Sequence, residues 1–230
     1  MRRPRRIHPY GPEALLLEWE QRIDPKINCG VHAYASAIGT LPGILECVPA
    51  YASLLVTFRP AVVSAYDLCE RIIDLPVANR PDRGVISHQV PVCYDPALAP
   101  DLSYVANQQN LTTDEVVQFH TGQTYQVYLI GFRPGFAFMG EVHPAIQVAR
   151  RRSPRTAVPA GAVGLAGGQT GIYPDESPGG WQLIGRCPLP LLSTRGGETR
   201  FRAGDRVSFY PIATRDYEHL VESPPPWPRR

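Results

Sequence analysis

Residues 157–186 read AVPAGAVGLAGGQTGIYPDESPGGWQLIGR, and this stretch decides how the second half of the chain folds. Eight of the thirty residues are glycine and three are proline, yet aliphatic residues recur throughout. A disordered linker has the glycine without the aliphatics. Here Val158, Val163, Leu165, Ile172, Leu183 and Ile184 alternate with backbone-permissive positions. That pattern specifies short strands joined by tight turns and bulges, with backbone exposed at a surface. Gln169, Thr170, Tyr173, Ser177, Trp181 and Arg186 stand among the glycines. Their amide, hydroxyl, aromatic and guanidinium groups suit a small polar or anionic ligand.

Outward from this block, strand-and-turn character begins at TYQVYLIGF (Thr124 to Phe132) and ends with GDRVSFYPI (Gly204 to Ile212). Short strands with frequent Gly and Pro punctuation predict a closed β-barrel. Two short helices precede it, Asp101 to Asn107 and Thr113 to Phe119, the second opened by a Thr112/Glu115 capping box. The first half alternates instead. Leu15 to Trp19 reads as a strand. Asp24 caps a helix with Pro25 at its first position, and Ile27, Val31, Tyr34, Ala35 and Ile38 give it an apolar face. Ile44 to Val48 and Ser53 to Phe58 are strands. Ser64 with Asp67 opens a second helix whose buried side is Leu68, Ile72 and Ile73. A turn at Asn79 to Gly84 leads into a fourth strand, Val85 to Val92. The order βαββαβ predicts a ferredoxin-like sandwich. The expected fold class is therefore α+β: a basic tail over residues 1–9, a ferredoxin-like domain over 10–92, a β-barrel domain over 93–216 and a proline-rich, disordered tail over 217–230.

Composition narrows the function classes. A chain of 230 residues with 43% hydrophobic content fits one large domain or two small ones. A net charge of +2 argues against a nucleic-acid module. Lys26 is the only lysine, which makes Schiff-base chemistry improbable elsewhere. The five cysteines lie at no CxxC spacing, so no structural zinc or other metal site is expected, and their odd number suits a reducing cytoplasm. No stretch approaches the roughly 18 apolar residues of a membrane span. The opening MRRPRRIHPYG lacks a following apolar signal region and reads as a solvated tail rather than a nucleic-acid or membrane arm.

The residues that can carry chemistry each have a plainer reading beside the functional one. His120 is either a general base or anion donor, or a histidine capping a helix C-terminus. Arg155 can grip a carboxylate or phosphate with its fork, or belong to a solvated basic loop with Arg150, Arg151 and Arg152. GGQTG (Gly167 to Gly171) lacks the GK[ST] of a Walker A loop. Its Gly167 and Gly168 amides can still form an anion nest, Gln169 can read an amide or lactam edge, and Thr170 and Tyr173 add hydroxyls; the alternative is a barrel bulge. Phe132 and Phe136 flank the GFRPGF bend and read as core or rim more readily than as a stacking platform. Trp181 is a core aromatic, a ligand wall or an interface residue. Asp175 reads as an exposed turn residue. There is no Gly-x-Ser-x-Gly elbow and no HExxH, so the chain shows no self-sufficient hydrolytic machinery.

Several segments together resemble a known family. These are PVCY (Pro91 to Tyr94), FHTG (Phe119 to Gly122), YLIGFRPGFAFMG (Tyr128 to Gly140), SPRTAVPAGAVGLAGGQTGIYP (Ser153 to Pro174) and SPGGWQLIGR (Ser177 to Arg186). The chain is similar in them to the family that holds the 5-oxoprolinase B subunit, allophanate hydrolase subunit 1 and the Kip-type histidine-kinase inhibitor. The resemblance implies a cyclophilin-like barrel. It implies one component of an ATP-dependent enzyme that opens 5-oxo-L-proline to L-glutamate, with ATP shared with partner subunits. Those partners are the C-type subunit (subunit 2) and the A-type subunit of the same enzyme. Kinase inhibition, or a urea or allophanate carboxyltransferase role, is the alternative; no biotin-attachment Met-Lys pair occurs here. On this reading His120, Arg155 and Gln169 are the catalytic candidates. Gly167, Gly168, Thr170, Tyr173, Trp181, Arg186 and Phe136 are the substrate or phosphate candidates. The family usually reads PGFPYLG where this chain has PGFAFMG, so Ala137 and Phe138 replace a proline and a tyrosine.

Overall fold

The structure is a computed structural model that describes residues 3–77, 85–193 and 198–226. The expected turn at Asn79 to Gly84 lies outside them. Two compact units, Met1–Arg83 and Gly84–Arg230, make up the chain.

The first unit contains β1 (Arg6–Pro9), β2 (Ala14–Glu18), α1 (Pro25–Ile38), β3 (Ile44–Pro49), β4 (Ser53–Phe58) and α2 (Ala65–Ile73). Its helices start where the caps predict. The Asp24 carboxylate accepts from the Lys26 and Ile27 amides, with Pro25 in the first turn, and Ser64 Oγ accepts from the Asp67 amide. The strands form an antiparallel sheet in the order β1-β2-β4-β3. Alternation places Leu15, Leu17, Leu54, Val56 and Phe58 in one core with Ile27, Val31, Tyr34, Ile38, Leu68 and Ile72. Ile73 is not part of this core but is 50% exposed. It lies five residues beyond Leu68, about 140° around the helix, whereas Ile72 is only about 40° away.

The second unit contains β5 (Ser87–Cys93), α3 (Leu102–Gln109), α4 (Thr113–Thr121), β6 (Thr124–Ile130), β7 (Ala137–Gly140), a 3-10 turn (Pro144–Ile146), β8 (Arg155–Val158), β9 (Ala162–Ala166), β10 (Gln169–Ile172), β11 (Ser177–Gly179), β12 (Gln182–Arg186), β13 (Arg206–Ile212) and α5 (Thr214–Glu222). Seven strands close a barrel in the order β10-β7-β6-β13-β5-β12-β9, and β8 pairs separately with β11. The ring closes between β5 and β12 through the pair Cys93↔Arg186. The capping box expected for α4 is present, with Thr112 and Glu115 satisfying each other's backbone amides.

Three expectations change. The strand expected at 85–92 as the last of a ferredoxin-like sheet belongs to the barrel: β5 pairs in parallel with β13 from Ser87↔Arg206 to Cys93↔Ile212. Buried Asp205 holds this junction, accepting from the Ile86 amide (3.1 Å), the Arg202 amide (2.8 Å) and His88 Nε2 (3.0 Å). The first unit is therefore ββαββα, and β1 from the expected basic tail supplies the sheet edge beside β2. The division between units accordingly falls at 83/84 rather than 92/93. At the other end, α5 runs through the beginning of the expected proline-rich tail.

Candidate functional site

The barrel wall formed by β7, β10, β9 and β12 carries two layers of side chains. Met139, Val163, Leu165, Ile172 and Ile184 pack inside the barrel. Phe136, Val158, Ala162, Ala166, Tyr173, Trp181 and Leu183 form a second cluster, with Phe138 packed against it. Strand alternation puts this second cluster on the outer face of the wall. Glycine makes the face possible. A Cβ at Gly164 would lie 3.0 Å from the Trp181 Cβ, and one at Gly171 would lie 3.1 Å from the Phe136 ring. At both positions the absent side chain lets an aromatic ring lie against the sheet backbone.

The rings meet edge-on, except that Phe138 is tilted at 59° to Phe136. Phe136 is central, with its centroid 4.8 Å from Phe138, 5.1 Å from Tyr173, 5.4 Å from Trp181 and 5.6 Å from Phe132. Phe136 and Trp181 are buried, but Phe132 is 64% exposed at the tip of the GFRPGF bend and has a positive φ of 66°. Arg133 secures that bend with a two-nitrogen grip on Asp175, so the aspartate is a structural anchor and not a free turn residue. Arg150 lies over Trp181, its Cζ 5.8 Å from the ring. Burial pushes the Tyr173 phenol up, while a hydrogen bond from the Trp181 backbone and the charges of Arg150 and Arg155 pull against it. Arg155 reaches Asp101, Nη2 to Oδ1 2.7 Å, and Arg151 Nη1 reaches the same oxygen at 3.3 Å. Among the described residues, Arg155 Nη1, Ser177 Oγ and Gln182 Oε1 are buried without a hydrogen-bond partner.

Four of the predicted residues therefore converge here: Arg155, Tyr173, Trp181 and Phe136. Gln169 sits at the rim, half-buried, paired in register with Ala166 and Gly140. The others are corrections. His120 is fully buried inside the barrel, where its ring stacks on Phe209 at 4.6 Å. Thr170 Oγ1 donates to the Gly164 carbonyl, so it accepts from His120 Nε2 (3.1 Å), and Nδ1 accepts from the Tyr94 hydroxyl (2.7 Å). This directional chain uses both ring nitrogens and the Thr170 hydroxyl, and burial lowers the imidazole pKa to about 3. Neither residue has a free group to offer a ligand. The Gly167–Gly168 pair is a two-residue hairpin turn, not an open nest: the Gly167 amide donates to the Val148 carbonyl at 2.7 Å. Arg186 stands at the far end of β12, about 16 Å along the strand from Trp181. Its Nε donates to the Ala160 carbonyl.

Two participants carry no clear signal in the sequence. Phe138 reads there as a lost tyrosine but retains the ring that packs on Phe136 and Trp181. Asp101 reads as the start of a helix. No local signal shows that its carboxylate pairs with an arginine 54 residues later.

Among the described residues no helix is long and apolar enough to cross a membrane. The chain matches the family model for the carboxyltransferase domain, subdomain C and D, over residues 5–200. It is 38% identical to the 5-oxoprolinase B subunit of Bacillus subtilis, covering 94% of this chain and 96% of that protein. It is 35% identical to the 5-oxoprolinase B subunit of Escherichia coli O157:H7, covering 90% and 95%. Its fold is similar to the crystal structure of TTHA0988, with a TM-score of 0.78 and 35% identity. That match covers 94% of this chain but only 41% of TTHA0988. The chain belongs to the family of the carboxyltransferase domain, subdomain C and D, together with the proteins named as the B subunit of 5-oxoprolinase.

Proposed function

We propose that this chain is the B subunit of an ATP-dependent 5-oxoprolinase, working with a C-type and an A-type partner protein. The overall reaction takes 5-oxo-L-proline, ATP and two waters to L-glutamate, ADP and phosphate. A lactam is resonance-stabilised and a poor electrophile. Phosphorylation of its oxygen makes the carbonyl carbon open to water. On this reading the partner subunits supply most of the ATP site. This chain offers the aromatic outer face of the barrel to the apolar ring edge, and its arginines to the anionic groups. Gln169 at the rim orients the ring amide.

The carrying observation is Arg155, held at 2.7 Å by Asp101 and close enough to act on the Tyr173 phenol at the edge of that face. Full-length similarity to two proteins named as 5-oxoprolinase B subunits supports the choice of reaction class. Phe132 favours a second use of the same face. Its exposed ring, set against buried Phe136 at 5.6 Å, extends the aromatic face to the surface and suits docking against a protein, as a Kip-type kinase inhibitor or a contact between subunits requires. In the reconstituted assembly, Arg155→Gln is expected to lower kcat/KM for 5-oxoproline about 100-fold, the loss of a charge-assisted grip. Unchanged kinetics in that variant would remove Arg155 from the site.

A further inference from the structure

Asp101 stands at the N-cap position of α3, yet its side chain makes no cap hydrogen bond. Capping is worth about 1 kcal/mol to a helix, and here it is forgone. Both carboxylate oxygens are used elsewhere. Oδ1 accepts from Arg155 Nη2 (2.7 Å) and Arg151 Nη1 (3.3 Å), and Oδ2 accepts from the Leu183 amide (2.6 Å). The Asp101 amide returns a bond to the Leu183 carbonyl at 2.9 Å. Asp101 is 5% exposed, so the carboxylate is fixed to β12 on one side and orders two guanidinium groups on the other.

The charge count matters. One carboxylate faces two guanidinium groups, with Arg150 alongside on Trp181. Among the described residues the cluster keeps excess positive charge, and the buried Arg155 Nη1 is left without an acceptor. A guanidinium held at one nitrogen presents its remaining N–H groups in a fixed direction, which suits a planar anion. We propose that Asp101 is a positioning residue for the substrate carboxylate, acting through Arg151 and Arg155. This deepens the 5-oxoprolinase reading and rests on it for the identity of the carboxylate.

The test uses Asp101→Asn, which keeps an oxygen for the Leu183 amide and removes the charge that orders the arginines. In the reconstituted assembly its KM for 5-oxoproline is expected to rise about tenfold or more, with kcat within about threefold and the KM for ATP unchanged. Inhibition by 2-pyrrolidone, the same ring without the carboxylate, is expected to be unaffected. Arg155→Gln combined with Asp101→Asn is expected to be no worse than the more severe single variant. A Ki for 2-pyrrolidone that rises with KM would show general damage and overturn the proposal. So would a shift confined to the KM for ATP, or additive effects in the double variant. A wild-type assembly that releases no glutamate refutes the enzyme reading alone. The anion receptor is then tested on the full chain by titrating acetate at constant ionic strength and following the arginine Nε–H resonances. Shifts at Arg151 and Arg155 that vanish in Asp101→Asn sustain it; no shift in the wild type overturns it.

Discussion

Replacing His120 with alanine is expected to destabilise the barrel unit by about 3–5 kcal/mol, through a cavity against Phe209 and the loss of its buried hydrogen bonds to Tyr94 and Thr170. The ring is fully buried, accepts from Tyr94 and donates to Thr170, so the substitution strands the Tyr94 hydroxyl and leaves Thr170 only its bond to the Gly164 carbonyl. Urea denaturation followed by near-UV circular dichroism gives the value, and a loss below about 1 kcal/mol would contradict the buried chain. The same residue sets a pH signature. Its folded pKa is depressed to about 3, below the ordinary 6.5. The unfolded chain therefore takes up a proton that the folded chain refuses. The stabilisation from the neutral imidazole is complete above about pH 6.5 and is lost as pH falls toward 3. By pH 5 the loss is about 2 kcal/mol. Carboxylates titrate over part of this range, so the difference between wild type and His120→Gln isolates the histidine. That difference is expected to shrink as pH falls from 7 to 5, and a constant difference would mean the imidazole protonates freely in the folded state.

Trp181→Ala is expected to have the largest effect on function. The ring is 5% exposed and packs on Phe136 at 5.4 Å and Phe138 at 5.8 Å, with Arg150 over it. Truncation costs about 3–5 kcal/mol of stability and removes the floor of the outer face. In the assembled enzyme, kcat/KM is expected to fall by roughly 1,000-fold, equivalent to about 4 kcal/mol of transition-state binding. Trp181→Phe separates packing from site. It preserves a core aromatic at a cost of about 1–2 kcal/mol but weakens the stacking surface for Arg150. Its kcat/KM is expected to fall about tenfold while the urea midpoint falls by no more than about 1 M. If Trp181→Phe is as active as wild type and Trp181→Ala loses activity only in proportion to its unfolding, Trp181 is a core residue and nothing more.

The parts of the fold legible in the sequence are those governed by neighbours along the chain. Asp24 with Pro25, Ser64 with Asp67, and Thr112 with Glu115 each open a helix where the residue types require it. The strand at Ser87–Cys93 is also legible as a strand, but its sheet is not. Its partner in β13 lies 119 residues away at Ser87↔Arg206, and alternation within seven residues says nothing about such a partner. The site divides in the same way. Tyr173 and Trp181 are legible as aromatics among glycines and Phe136 as core or rim, but which glycine admits which ring is fixed by strand pairing and becomes visible only in the fold. His120 and Thr170 carry polar groups suited to ligands, but strand parity turns Thr170 into the barrel, where it meets His120. Which face of a wall points outward depends on closure of the whole barrel. Asp101 is invisible for a simpler reason: an aspartate before a helix is nearly always read as its cap.

The most direct measurement is glutamate release from 5-oxo-L-proline and ATP by the co-expressed subunits, with this chain present and then omitted. Release is expected to depend on ATP, to disappear when this chain is left out and to return when purified chain is added back. Glutamate release at an undiminished rate without this chain, or none from a stable complex containing it, would contradict the 5-oxoprolinase reading and leave the aromatic face as a docking surface for another protein.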